Sequence, residues 1–545
     1  MKWRKLKDLL RCVTLFAVVA AMLFTLVACN NDPAAGSENP DPQGSETPAV
    51  PENPGGEAVK TKGGDLVLST HLFSGFFQPK SQTTAMETCW PAMESLGYQT
   101  DVSAPWQPKL AESWEIDYDN FTVTLHLRKG VTFHNGDPFN ADDVVFSFAV
   151  RNEFGTQSNI GSPVSVEKVD EYTVVVTFKE FSLNYEAWLL PQFIYSKETY
   201  DEKGVDWMMN NIVGTGPYKM TEFIPDDHLS FDRYDDYWGE PGNVDTFTWK
   251  YIPDATAQAA AFLNGEIGRL SPLAASTSQI LMDSGFEPVV VPPITGGQCY
   301  IVPISLDPSD PLSNQTVRQA IYQYGIDWDT MAETLGNGTY YHTDAYALTG
   351  NSYYTEELEF TDTPDSEKCK QMLTQAGYAN GFSTAIYYGS NDATHQAVAT
   401  FVQAELAKVG VKVECVPVDG TVMSAEYWSG KATQSGMIIG RLYYTPLQTY
   451  RLNQTNGPTG SQSRVTSWSD ETIDLFNKVN AARNMEEQNE LMRQFVKLFV
   501  QEECIYWPVY NSLTYEFYQD WCHYSDTARI GNAGFDPHEV WVDAH

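Results

Sequence analysis

Residues 121–148 read FTVTLHLRKGVTFHNGDPFNADDVVFSF. Phe121, Val123, Leu125 and Leu127 alternate with polar residues, the period of a half-buried strand. Lys129-Gly130 makes a turn, and Val131 to Phe133 is expected to pair back as a hairpin. Asn135-Gly136-Asp137-Pro138 makes a second turn. Asn140 then stands at a helix start with Asp143 three residues on, close to a capping box. Strand, turn and capped helix within 28 residues point to a mixed α/β fold.

The pattern continues in both directions. GGDLVLST (63–70) is a short strand after a glycine pair, and VEKVDEYTVVVTF (166–178) is two strands about an acidic turn. GTGPYKMTEF (214–223) breaks at its glycines and proline before another strand. In FTWKYIPDATAQAAAFLNGEIG (247–268) a strand leads to Asp254 as cap, a helix, and Gly265 as stop. SNQTVRQAIYQYGI (313–326) and DSEKCKQMLTQAGY (365–378) are helices, the second ending at Gly377. HQAVATFVQAELAKVGVKVECVPVD (395–419) is an amphipathic helix, Gly410, and a strand from Val411 to Val416. Ser469 caps a helix, a long one spans Glu486 to Glu503, and Ile505 to Tyr510 is a strand. A body of this length exceeds one hydrophobic core and is expected to divide into lobes. No internal repeat of 20 to 50 residues suggests a solenoid.

The N-terminal end carries a different signal. Lys2, Arg4, Lys5, Lys7 and Arg11 precede an apolar run from Val13 to Ala28, the layout of a secretory signal. A membrane span needs roughly 20 apolar residues, and this run falls short. Leu26-Val27-Ala28-Cys29 resembles the bacterial lipobox, in which cleavage precedes the cysteine and its thiol carries a diacylglycerol. Residues 1–28 are therefore expected to be a lipoprotein signal peptide. Residues 29–62 then comprise the lipidated Cys29 and a Pro-, Gly- and Ser-rich tether, too polar to order. Such a tether reaches roughly 30 Å on average. This places the body on the extracytoplasmic face of the cell membrane, held by its lipid anchor.

From Cys29 onward the chain keeps 29 of 34 basic and 70 of 71 acidic residues, a net charge of −41. Nucleic acid, whose binding requires basic surface, is excluded as a partner, and so is flat attraction to anionic lipid. The six body cysteines, Cys89, Cys299, Cys369, Cys415, Cys504 and Cys522, show no metal-site spacing. Buried thiols are expected, with room for one disulfide.

Catalytic signals are thin. No G-x-S-x-G elbow occurs, and Gly430-Lys431-Ala432 lacks the remaining residues of a phosphate loop. The nine histidines show no H-x-x-x-H pair. His538 and His545, flanking Glu539 and Asp543, read as a frayed tail, so no metal or other cofactor is expected. Asp142-Asp143 and Asp226-Asp227 sit where caps and turns want them. The 14 Trp, 30 Tyr and 27 Phe suit both cores and a ligand cleft between lobes. A binding protein that closes on its ligand about a hinge fits these features.

Seven blocks in order carry a resemblance: LAESWEID (110–117), the 121–148 stretch, GTGPYK (214–219), YWGEPGNVDTFTWKYIPDATAQAAAFLNGEI (237–267), VRQAIYQYGID (317–327), CKQMLTQAGY with GF (369–382), and VQAELAKVGVKVE (402–414). Together, over about residues 63 to 520, they resemble the family 5 solute-binding proteins, the peptide/nickel-binding type that serves ABC importers. The resemblance implies a two-lobed class II periplasmic-binding-protein-like fold with an inserted small domain and a ligand cleft between lobes. The first lobe would take residues 63–105, 215–290 and 500–545, and the inserted subdomain 106–214. The second lobe would take 291–499, with hinge linkers near Val291 and Val500. Two departures occur: Gly268 replaces an acid after GEI, and Gly325-Ile326-Asp327-Trp328 stands where AIDR is usual.

The function implied is capture of a small solute, most often a peptide, by a monomer that delivers it to permease subunits without turnover. Oligosaccharide is the alternative cargo, and nickel complexes rank lower because the histidines are scattered. A surface hydrolase and a ligand-presenting sensor are the other classes to weigh. From Tyr427 to Ser469 there is no acid, where the body's average would place about six, while Lys431, Arg441, Arg451 and Arg464 contribute four cations. One reading is a docking face. The other places Arg441, at the end of a buried strand, in the cleft against a carboxylate or carbonyl. Tyr443 and Tyr444 would stack beside it, with Trp428 and Tyr450 completing the candidate ligand-binding set.

Overall fold

The computed structural model describes residues 60–73, 75–81, 85–99, 104–154, 163–271, 275–291, 298–304, 307–336, 338–342, 352–359, 364–390, 392–428, 433–442, 469–524 and 537–543. The body is a two-lobed α/β fold whose described sheets follow the chain in blocks. Asp65–Thr70 pairs in parallel with Thr246–Tyr251, and His228–Arg233 and Tyr218–Ile224 extend that sheet antiparallel. Ala111–Asp117, Thr122–Leu127, Thr173–Thr177 and Ser165–Asp170 form a separate antiparallel sheet. Farther on, a six-stranded sheet runs Tyr340–Tyr341, Trp507–Ser512, Gln298–Ile304, Gly436–Leu442, Ser383–Gly389 and Lys412–Val418.

Local signals explain most elements. Asn140 Oδ1 accepts from Asp142 N (2.8 Å) and Asp143 Oδ2 from Asn140 N (2.9 Å), so the capping box forms at the head of Ala141–Phe154. Asp254 caps Ala255–Leu263 through Ala257 N at 2.8 Å. Ser469 does the same for Asp470–Ala481 through Thr472 N. Gly377 and Gly410 end their helices at φ +95° and +87°, where a Cβ would be strained.

The hairpin expected within 121–133 does not form. Thr122–Leu127 already has both edges occupied, by Ala111–Asp117 and by Thr173–Thr177. The segment after Gly130 therefore leaves the sheet, and Thr132 makes a bridge to Pro138 instead. Val131 and Phe133 are buried in the same core as Val123, Leu125 and Leu127.

This unit is tied to the first sheet at GTGPYK. Gly214 and Gly216 lie against the carbonyl of Ala92, where added Cβ atoms would fall 1.9 and 2.9 Å from its oxygen. Beside them the buried Glu94 carboxylate accepts from Thr215 Oγ1 (2.8 Å), Tyr237 OH (2.7 Å) and Trp238 Nε1 (2.8 Å), with Lys109 Nζ at 3.5 Å. Gly268 also has a local reason. A Cβ there would meet Cys522 Sγ at 2.9 Å and Leu66 Cδ1 and Trp521 Cη2 at 3.0 Å.

One boundary moves. Residues 507–512, assigned on sequence to the first lobe, are a strand of the six-stranded sheet, between Gln298–Ile304 and Tyr340–Tyr341. The chain leaves that sheet at Leu513, not near Val500. An apolar run marks a buried strand without saying which sheet it joins. The six body cysteines are all thiols, so the one disulfide allowed for is not made. Among the described residues no helix is long and apolar enough to cross a membrane.

Candidate functional site: the double crossing between sheets

Two stretches of chain pass between the six-stranded sheet and the short sheet of Arg269–Leu270, Thr514–Tyr518 and Val289–Val291. One runs from Val289–Val291 to Gln298–Ile304. The other runs from Trp507–Ser512 through Leu513 to Thr514–Tyr518. They are paired on both sides of the passage: Val291 opposite Thr514, and Gln298 opposite Asn511. The ladder pairs resume on each side, so the two sheets are joined by strand pairing as well as by chain.

Around this passage the six-stranded sheet presents aromatic and polar groups. Tyr340 stacks on Tyr510 with centroids 4.1 Å apart, and the His342 ring lies 6.1 Å from that of Trp328. Asn511 is 1% exposed, and its side-chain amide makes no hydrogen bond of good geometry. Opposite it stands Tyr341, whose hydroxyl burial pushes up to about 12, with the nearby Asn511 amide acting in the other sense. The Tyr354 hydroxyl, also raised to about 12 by burial and then by Glu359, donates to Glu359 at 3.1 Å. On the short sheet, Arg269 pairs with the buried Glu516, which also accepts from the Tyr518 hydroxyl. Nothing in the sequence pattern marked Asn511 or Tyr341. Their proximity arises from register between segments about 170 residues apart.

Arg441 is the sixth residue of Gly436–Leu442 and stands opposite Cys299, at the end of the sheet that carries the crossings. Met437 and Ile439, earlier in the same alternation, lie in the core with Cys299 and Ile301. Trp428 ends the π-helical turn Met423–Trp428, whose Tyr427 packs with Ile438 and Ile304 in a different cluster. Cys29, Tyr443, Tyr444 and Tyr450 lie outside the described residues.

Other polar groups are accounted for structurally. Asp142 pairs with Lys168 at 2.7 Å, and Asp227 and Glu222 each hold a ring nitrogen of His228 at 3.0 Å. Among the described residues no three of His, Cys, Asp and Glu converge on His538, and His545 lies outside them. A cavity of about 300 Å³ bordered by His134, Trp207, Asn211, Lys219 and Phe223 is braced from within. There Lys219 Nζ donates to His134 O (3.0 Å) and Asn211 Nδ2 to Trp207 O (2.9 Å).

Comparison with known proteins agrees with this architecture. The model of "Bacterial extracellular solute-binding proteins, family 5 Middle" matches residues 105–462. The glutathione-binding protein GsiB of Pectobacterium atrosepticum is 29% identical over 351 residues, which are 62% of this chain and 65% of that protein. The chain thus spans just under two thirds of the length of that relative. Heme-binding protein A of Haemophilus influenzae is 27% identical over 451 residues, 75% of this chain and 79% of that one. In the crystal structure of the ABC transporter substrate binding protein CtaP from Listeria monocytogenes, the same fold recurs. Its TM-score is 0.76 at 21% identity, over 88% of this chain and 100% of that chain. With its blocks in order and more than half its length matched, the chain belongs to family 5 of the bacterial extracellular solute-binding proteins.

Proposed function

We propose that this protein captures a peptide outside the membrane and delivers it to the permease of an ABC importer. The observation that carries the reading is that two covalent connections join the sheets, flanked by the pairs Val291–Thr514 and Gln298–Asn511, so that two lobes could close on a ligand without either connection breaking a sheet. In this division residues 63–105, 215–290 and 513–545 form the first lobe, 106–214 its insert, and 291–512 the second. The glutathione-binding relative supports a peptide, since glutathione is itself built of amide-linked amino acids. Cys29 is proposed as the lipid anchor, because two acyl chains give stable attachment where one is marginal.

Arg441, in an acid-free stretch at the end of the sheet that meets the crossings, is proposed to face a neutral or anionic group of the ligand. A thermal-shift screen of peptide against glycan libraries tests the cargo. A ligand at a hundredfold excess over its dissociation constant stabilises by about 2.7 kcal/mol. Shifts with glycans alone would replace the peptide reading. Calorimetry on Arg441→Ala tests the site: a loss of about 2–4 kcal/mol is expected if a partner charge is left buried. Unchanged affinity would make the acid-free stretch a docking face.

A further inference from the structure

Beside the second crossing, the turn Gly338–Thr339 of the second lobe leans over the chain and is held there twice. The Leu513 N–H, in the crossing itself, donates to Thr339 O at 2.7 Å. The Tyr515 hydroxyl, two residues farther on, donates to Gly338 O at 2.9 Å. The two bonds differ in kind. Leu513 is the crossing residue, so its bond fixes a pivot. Tyr515 lies in the strand paired with Val289–Val291, with Val290 opposite it, and packs beside the core of Phe262 and Phe517. It therefore moves with the first lobe, whereas Gly338 precedes Tyr340–Tyr341 in the second lobe's sheet.

We infer that the Tyr515–Gly338 hydrogen bond is a latch across the hinge, setting the balance between lobe arrangements before any ligand arrives. A rotation about Leu513 swings the hydroxyl away from its acceptor. Hydrogen bonds weaken steeply with distance and misalignment, so the bond survives over a narrow range of lobe angles. The acceptor is held in place by backbone: Gly338 has φ +85° with open space where a Cβ would stand, a conformation suited to glycine rather than forced by packing. The Tyr515 ring is half-buried and the hydroxyl near solvent, so the latch is a bias that ligand binding can override, not a lock.

The inference rests on the crossings acting as a hinge, and the experiment separates the two. Spin labels at Glu240→Cys and Lys370→Cys, exposed positions in the first and second lobes, report the interlobe distance by pulsed electron resonance in the ligand-free chain. Tyr515→Phe removes only the donor and is expected to shift the population ratio of arrangements by about 2- to 10-fold, the worth of one partly exposed hydrogen bond. Tyr515→Leu, which also removes the ring, should shift it at least as far. A glycine inserted after Leu513 loosens the crossing and serves as the hinge control. If the insertion changes the distances while both Tyr515 variants superimpose on the parent, the latch is refuted and the hinge stands. If neither the insertion nor the substitutions change them, the hinge reading falls with it.

Discussion

Removing the Glu94 carboxylate should loosen the packing of the 214–219 turn and of Tyr237 and Trp238 against the segment that carries Glu94. Glu94 is 2% exposed and accepts three hydrogen bonds, from Thr215, Tyr237 and Trp238, at 2.7–2.8 Å, with Lys109 Nζ at 3.5 Å. Hydrogen bonds to a charged group are worth about 1.5–3 kcal/mol each. Against their sum stands the cost of burying the carboxylate, which Glu94→Ala relieves. The net loss expected is on the order of 3–5 kcal/mol, the usual result of deleting one member of a buried charged network. Glu94→Gln keeps an acceptor oxygen but turns an NH₂ toward a donor, and should lose about 1–3 kcal/mol. Urea unfolding followed by tryptophan fluorescence measures both, from the midpoint and the slope. Limited proteolysis should cut the alanine variant first near Thr215 or Tyr237–Trp238, the segments that lose their bonds to Glu94. A loss under about 1 kcal/mol for Glu94→Ala would show that the three donors find other partners, and the hub would be no more than a local contact.

Further outcomes follow from single residues. His134 donates from Nε2 to Gly216 O (2.9 Å) and accepts at Nδ1 from Gly214 N (3.3 Å), and burial holds its imidazole down to about 4, from the ordinary 6.5. Between those values the unfolded chain binds the proton and the folded chain does not, so stability is lost as pH falls from about 6.5 toward 4. The total is roughly 3 kcal/mol, at about 1.4 kcal/mol per unit. Asp143, which burial raises to about 6, works in the opposite sense, so the effect is read as the difference between the parent and His134→Gln in unfolding at pH 7 and pH 5. Gly214→Ala drives a Cβ to within 1.9 Å of Ala92 O and should cost about 1–3 kcal/mol or more, visible as a lowered melting temperature. Cys29→Ser should abolish lipidation and release the protein from the membrane fraction. Normal maturation of that variant would end the lipobox reading.

The sequence by itself determined what depends on near neighbours. Caps at Asn140, Asp254 and Ser469, helix ends at Gly377 and Gly410, and the alternation of Thr122–Leu127 were all legible, because each is settled by groups within a few residues. So was the family, since its blocks are local motifs kept in order. Tertiary structure decided which edges meet. Backbone ladders are nearly blind to side-chain identity, so nothing in Trp507–Ser512 announces that it joins Gln298–Ile304, some 200 residues earlier, rather than the sheet of the first lobe. Nothing in Val131 to Phe133 shows that its intended partner strand is already flanked on both sides. The same holds for the crossing. Nothing local in 510–517 shows that Leu513 and Tyr515 meet Thr339 and Gly338, contacts between segments about 175 residues apart.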